Sequence, residues 1–296
     1  MKNKIFDFGQ ELIYFGFKQA WACLYGAALL LLILLTFYLE PKGISRYDFL
    51  FVGAILIQLF LLVLGLETHK EVQLIFVFHI VATVMELFKT DPAIGSWAYP
   101  GEGFFQIANV PLFTGFMYSA VGSYIARAWR ILRLRFSNYP PFLMTLILSV
   151  LIYINFFTHH FIWDFRLLLF GFTFWAFYRT RVHFLVWKKQ RSMPLLLGFF
   201  LVAFFIWIAE NASTFSRIWV YPEQTQAWQV VSLSKIGAWY LLMIISFVLV
   251  SISKQSSLQI RPVSFPWTKW ILVWRGSFSS VFNGQTIVKA DPKPQA

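Results

Sequence analysis

The chain has 296 residues, 58% of them hydrophobic, 20% aromatic and only 13% charged. That balance excludes an ordinary soluble domain. The net charge of +12 reads as loop charge on a membrane protein rather than a nucleic-acid surface, because no aromatic-basic module stands outside the apolar runs. The one cysteine, Cys23, excludes an internal disulfide and a thiolate metal cluster.

Apolar runs of about 18–20 residues are long enough to cross a hydrocarbon core. In chain order, eight such spans are expected at 20–39, 48–66, 72–88, 110–129, 142–159, 164–180, 194–210 and 232–252. The first follows Lys2, Lys4 and Lys18. It is too long for a signal-peptide core and has no small-residue cleavage site after it, so it reads as a retained span. Turn-forming and polar clusters break the runs, among them Pro41-Lys42-Gly43, Pro140-Pro141 and the loops 89–109, 179–193 and 211–231. The expected fold is therefore an all-α polytopic membrane protein: an eight-span domain over 1–253 and a short cytoplasmic tail over 254–296.

Lys and Arg set the orientation. With the N-terminus inside, 19 of the 25 basic residues fall on the cytoplasmic side, including Arg127, Arg130, Arg133 and Arg135 near one loop and five more over 179–191. Both termini are then cytoplasmic, in a bacterial plasma membrane. The tail mixes Trp267, Trp270 and Trp274 with Lys269 and Arg275, which suits the headgroup layer. Alternatively 277–288, with its Asn283-Gly284 turn signal, forms a small β-rich appendage.

One pattern occurs twice. Glu86-x-x-x-Thr90 and Trp97-x-Tyr99-Pro100 return as Glu210-x-x-x-Thr214 and Trp219-x-Tyr221-Pro222, each followed by a further apolar run. The two glutamates close spans 3 and 7, four spans apart, so both copies face the outer side. Asp48-Phe49 and Asp164-Phe165 open spans 2 and 6 in a weaker match. This spacing predicts a 4 + 4 repeat with halves over about 20–135 and 140–253, related by an axis along the membrane normal.

Polar residues gather at the same side. His79, Thr83, Glu86 and Thr90 form one helical stripe. A lipid-facing carboxylate is costly, so the stripe should face the bundle interior or a wet cavity. Asn155, Thr158, His159, His160 and Asp164 cluster where span 5 meets span 6, and Glu210 with Asn211 completes the set. Two chemistries fit. A divalent metal on His159, His160 and Asp164 would activate water. Alternatively Glu86, His160, Asp164 and Glu210 form a metal-free acid/base set. Thr90, Trp97, Tyr99, Asn211, Thr214, Trp219 and Tyr221 are the candidate substrate contacts. The plainer reading is that these groups satisfy one another and the helix ends, with the aromatics as an interfacial belt. Gly115, Ser119 and Gly122 form a small-residue stripe that reads as close helix packing.

ELFKTDPAIGSWAYP, PLFTGFMYSAVGSYIARAWR, YINFFTHHF, IWIAEN and VSLSKIGAWYLLMIISFVLV together resemble the bacterial multi-pass membrane family of unknown function designated DUF817, over roughly 10–255. The resemblance implies the topology and supplies no mechanism. A fainter similarity, in the order Glu86, Thr90, Gly95, Tyr99, Val110, Pro111, points to the membrane carotenoid hydratases and implies water addition to an isoprenoid. The leading expectation is a membrane-embedded hydratase or hydrolase acting on a lipid or isoprenoid at the extracytoplasmic side. Its partners are then membrane lipids and a hydrophobic small molecule, with no nucleic acid. The alternatives are a transporter of a small molecule and a non-catalytic scaffold. Against transport, His79 alone lies deep, and its counterpart Ala203 is apolar.

Overall fold

The computed structural model describes residues 2–254 apart from 188. The readings made for the tail beyond Lys254 lie outside the described residues. Nine α-helices make up most of the rest: α1 (Lys2–Ala22), α2 (Leu24–Tyr38), α3 (Arg46–Val63), α4 (His69–Lys89), α5 (Phe113–Ile131), α6 (Phe142–Thr158), α7 (Arg166–Phe177), α8 (Leu195–Phe215) and α9 (Ser234–Ser253). A helix occupies each of the eight segments expected to be apolar spans. Local chemistry starts them: Ser45 accepts from the Asp48 amide at the head of α3, and Thr68 with Glu71 forms a capping box on α4.

One expectation is corrected here. The segment 20–39 is not one helix, because α1 and α2 are bent by 68° at a break beside Cys23. The cause is tertiary. Arg127 donates to the Trp21 carbonyl, Lys18 reaches the Ile131 and Leu185 carbonyls, and Glu11 pairs with Arg191. These contacts hold α1 against α5 and the adjoining sheet, away from the α2 axis. Among the described residues, length and composition qualify four helices to cross a membrane (α3, α4, α8 and α9), or five if the bent pair counts as one span. At about 1.5 Å per residue the twelve residues of α7 rise only about 18 Å, against a core of about 30 Å. The segment α5 carries Arg127 and Arg130 inside its last turns.

The strands were not legible beforehand. β1 (Gln106–Ile107) and β2 (Val110–Pro111) form a small hairpin. β3 (Arg135–Ser137), β4 (Arg181–Leu185) and β5 (Gln190–Pro194) form an antiparallel sheet with β4 in the middle. Two stretches read as loops thus close one end of the bundle as a sheet. Phe136 of β3 packs on Trp129 and Phe247 and joins that sheet to the main core.

Backbone proximity governs the centre. α4 lies along α5, where Gly115 faces His79 and Gly122 faces Phe78. Ser119 donates across the gap to the Ile75 carbonyl. Small residues let two helices approach closely and exchange such bonds, as the stripe predicted. A Cβ on Gly122 would lie 2.8 Å from Phe78 Cε2, and one on Gly115 would lie 2.1 Å from His79 Nδ1.

Glycines in different surroundings therefore give opposite results. Gly122→Ala should destabilise the protein by about 1–3 kcal/mol through overpacking. Gly171→Ala, with nothing within 4 Å of the added Cβ, should stabilise α7 by about 0.5–1 kcal/mol. Thermal unfolding of both variants in one detergent checks this. Equal shifts would contradict the packing assigned to α4 and α5.

Candidate functional site

Glu86 sits one turn before the end of α4. The hydroxyls of Thr83 and Thr90 bond back to the His79 and Glu86 carbonyls of their own helix, at 2.7 and 2.9 Å. Both hydroxyls are thereby occupied, so the polar stripe narrows to Glu86 and His79. Beyond Thr90 the chain reverses through Gly95, whose φ of +58° suits a residue without a Cβ. The reversal brings the following motif back over the helix end. Trp97 Nε1 and Tyr99 Oη each donate to Glu86 Oε2 at 2.9 Å, and Tyr118 Oη of α5 donates to Oε1 at 2.6 Å. The carboxylate is 1% exposed. Among the described residues it makes three bonds to neutral donors and no ion pair within 4 Å.

The second glutamate motif builds a similar cage by another route. Glu210 on α8 is 3% exposed. Tyr221 Oη donates to its Oε1, and Trp239 Nε1 of α9 donates to Oε2 at 2.8 Å. The tyrosine role is the same as in the first motif, while the indole comes from the next helix instead of from Trp219. The two cages interlock. The Trp97 ring meets the Tyr221 ring edge-on at 6.3 Å, and the Tyr118 and Trp239 rings lie 5.9 Å apart. Between the motifs, the Ala98 and Val220 amides each donate to the other's carbonyl at 2.9 Å. The central residues of both Trp-x-Tyr motifs thus form one antiparallel bridge. Burial and the adjacent carboxylates push the phenols of Tyr99 and Tyr221 well above their ordinary range. Both stay protonated, and so both stay donors.

Glu86 and Glu210 line one cavity of about 890 Å³. The size is in the range of small-molecule sites. Its walls come from α1, α2, α4, α5, α8 and α9, and they are apolar over most of their length, running down to Leu134, Phe136 and Val182 at the sheet end. The polar groups concentrate at the glutamate end. Trp97, Tyr99, Trp219 and Tyr221 line it as the sequence suggested. Tyr118, Trp239, Lys89, Arg166 and Lys235 line it as well, and none of these was singled out beforehand. Tyr118 and Trp239 carried a usable signal, since each follows a glutamate motif within the next helix.

Most of the remaining candidates sit elsewhere. Thr90, Asn211 and Thr214 are absent from the lining. Asn211 accepts from the Val231 amide, and Thr214 accepts from Trp228 Nε1, so both tie down the loop after α8. Asp164 accepts from Asn155 and pairs with Arg166 at 3.2 Å, and Asn155 accepts from the Phe165 amide. These bonds clamp the α6–α7 turn. His159 faces the cavity, with Nδ1 2.8 Å from the Asn155 carbonyl. His160 is exposed beside it and accepts at Nε2 from the Lys89 ammonium at 2.8 Å. Among the described residues no three His, Cys, Asp or Glu side chains gather to hold a metal ion. At His160 an ammonium already occupies the lone pair a metal would need.

Comparisons with known proteins give a family and no activity. The family described as "Protein of unknown function (DUF817)" matches residues 11–247. The uncharacterised protein YoaT of Bacillus subtilis (strain 168) is 42% identical over 246 residues, which cover 83% of this chain and 92% of that protein. No solved structure matches the chain.

Partial loss of solvent, the Lys89 ammonium and the His159 ring bring the His160 imidazole down from 6.5 to about 4. A histidine depressed in the folded state takes up its proton only after the unfolded chain has done so. Stability is then full above about pH 6.5 and declines as pH falls toward about 4. Melting curves between pH 7 and 4 should show this decline, and His160→Gln should flatten it. An unchanged slope in that variant would remove His160 as its source.

Proposed function

We propose that this chain, which belongs to the DUF817 family of proteins of unknown function, is a membrane-embedded enzyme that adds water to, or hydrolyses, a lipid or isoprenoid. One observation carries the reading: two caged carboxylates line the same end of one otherwise apolar cavity. In a hydration, one carboxylic acid delivers its proton to an alkene carbon. The cation left on the neighbouring carbon takes the oxygen of water, and the second carboxylate accepts the water proton. The net change is H and OH across the double bond. Trp97, Tyr118 and Trp239 present ring surface beside the carboxylates, and aromatic faces attract a carbocation as they attract other cations. His160 and Asp164 take no part in it, since both stand off the cavity.

The repeat supports placing the site on an axis between two four-helix halves. α2 packs on α3 and α5, as α6 packs on α7 and α9. α4 packs on α5, as α8 packs on α9. α5 meets α9, and the Ala98–Val220 bridge lies between the copies. Eight crossings with both termini inside complete this arrangement, the shorter helices crossing within the bundle. A second reading, transport, draws on the cavity lining, which continues from the glutamates to the sheet end.

Turnover of a bacterial lipid or isoprenoid extract by purified protein should fall at least about a thousandfold when Glu86→Gln and Glu210→Gln are combined, given that general acid and base each contribute about 10²–10⁴. Retained turnover would sink the enzyme reading, and substrate flux into proteoliposomes without conversion would favour transport. For the topology, a Cys23→Ser background with Glu102→Cys should label on intact cells with an impermeant maleimide, whereas Ser192→Cys should not. Labelling of both positions would overturn the orientation.

A further inference from the structure

The glutamate end of the cavity holds more charge than an acid/base pair needs. Lys89, Arg166 and Lys235 line it together with Glu86 and Glu210, three cations against two carboxylates. Neither glutamate forms an ion pair with these cations, because both are taken up by Trp and Tyr donors. Arg166 is paired with Asp164. Lys89 and Lys235 are both left without a carboxylate within 4 Å among the described residues, since the His160 imidazole that Lys89 meets is neutral and balances no charge. The Lys235 ammonium lies 3.9 Å from the centre of the Tyr221 ring. Lys235 also stands in the first turn of α9, next to Ser234, which lines the cavity too. There the free amides of a twenty-residue helix add positive potential.

A cation in such a place is stabilised by an anion that can reach it, since unpaired charge at an apolar wall is costly. The rest of the cavity is mostly apolar, with Gln19, Cys23 and Tyr124 as its main polar lining. We propose that the ligand is an anionic amphiphile, with a phosphate-type head held by Lys235 and Arg166 and an apolar chain laid along α2, α5, α8 and α9. This rests on the reading of the cavity as a lipid site and sharpens it, for it sets aside uncharged hydrocarbons. The same head chemistry occurs on a free prenyl phosphate and on an acidic phospholipid of the bilayer. The single chain of the prenyl phosphate suits the one apolar cavity, and the test separates the two.

The test is binding by the full-length protein in neutral detergent, read from quenching of the tryptophans around the cavity. The probes are farnesyl phosphate, farnesol, phosphatidylglycerol and inorganic phosphate. Farnesyl phosphate should bind at least about tenfold tighter than farnesol, and inorganic phosphate alone should not compete. Lys235→Met should reduce the preference to about twofold or less, and Lys235→Arg should restore most of it. Arg166→Gln provides a second variant should Lys235→Met fail to fold.

Equal affinity for farnesol and farnesyl phosphate would overturn the proposal while leaving the enzyme reading standing. Tighter binding of phosphatidylglycerol than of farnesyl phosphate would assign the cations to bilayer lipid and overturn it as well. If no chain-bearing probe binds, the cavity is not a lipid site and both readings fall. Loss of turnover in the double glutamine variant depends on none of these results, so the two readings fail separately.

Discussion

A carboxylate buried in an apolar bundle must be given hydrogen bonds, and much of this structure is arranged around meeting that demand twice. Removing a charged or polar group from water costs several kcal/mol unless partners replace the lost solvent. Glu86 obtains three partners from two elements, the returning loop and α5. Glu210 obtains two, again from a loop and the following helix. The loops after α4 and α8 therefore fold back over the bundle instead of hanging free of it. Their backbones pair at Ala98 and Val220 because both must return to nearly the same place.

Close approach of α4 and α5 makes the first cage reachable. Tyr118 touches Glu86 only because Gly115, Ser119 and Gly122 let the two helices lie almost backbone to backbone. At the other end of α5 a different polar element does comparable work. Arg127 is fully buried, and it donates to carbonyls at Trp21 and Leu66. It joins the end of α1 to the turn before α4. Glu67 of that turn accepts from Gln58 and Ser123, so the α3–α4 connection is bound into the bundle from two directions. An arginine counted by sequence as loop charge is in fact an interior brace.

These examples mark where sequence reading succeeds. Eight helices stand where apolar runs were seen, and the glycine stripe packs helices as its spacing suggested. The repeated Glu motifs led to the cavity, with Trp97, Tyr99, Trp219 and Tyr221 along its wall. The same reading could not tell which polar residues face inward. His160 and Asp164 have the composition of a site, yet one serves Lys89 and the other clamps a turn. Lys235 had no motif to announce it. The sheet of β3, β4 and β5 joins segments more than forty residues apart, beyond the reach of local periodicity.

What the sequence by itself determined is the solvent for each stretch. Hydrophobic content is a sum over residues, so it names the segments that avoid water without knowledge of their neighbours. It also determined that the glutamate motif occurs twice, because recurrence is a property of order alone. Tertiary structure decided the rest. Which donors cage each glutamate, where α1 turns away from α2, and which cations are left without a carboxylate all depend on distances between segments far apart in the chain. Hydrogen bonds and ion pairs act over a few ångströms, and only the folded bundle sets those separations.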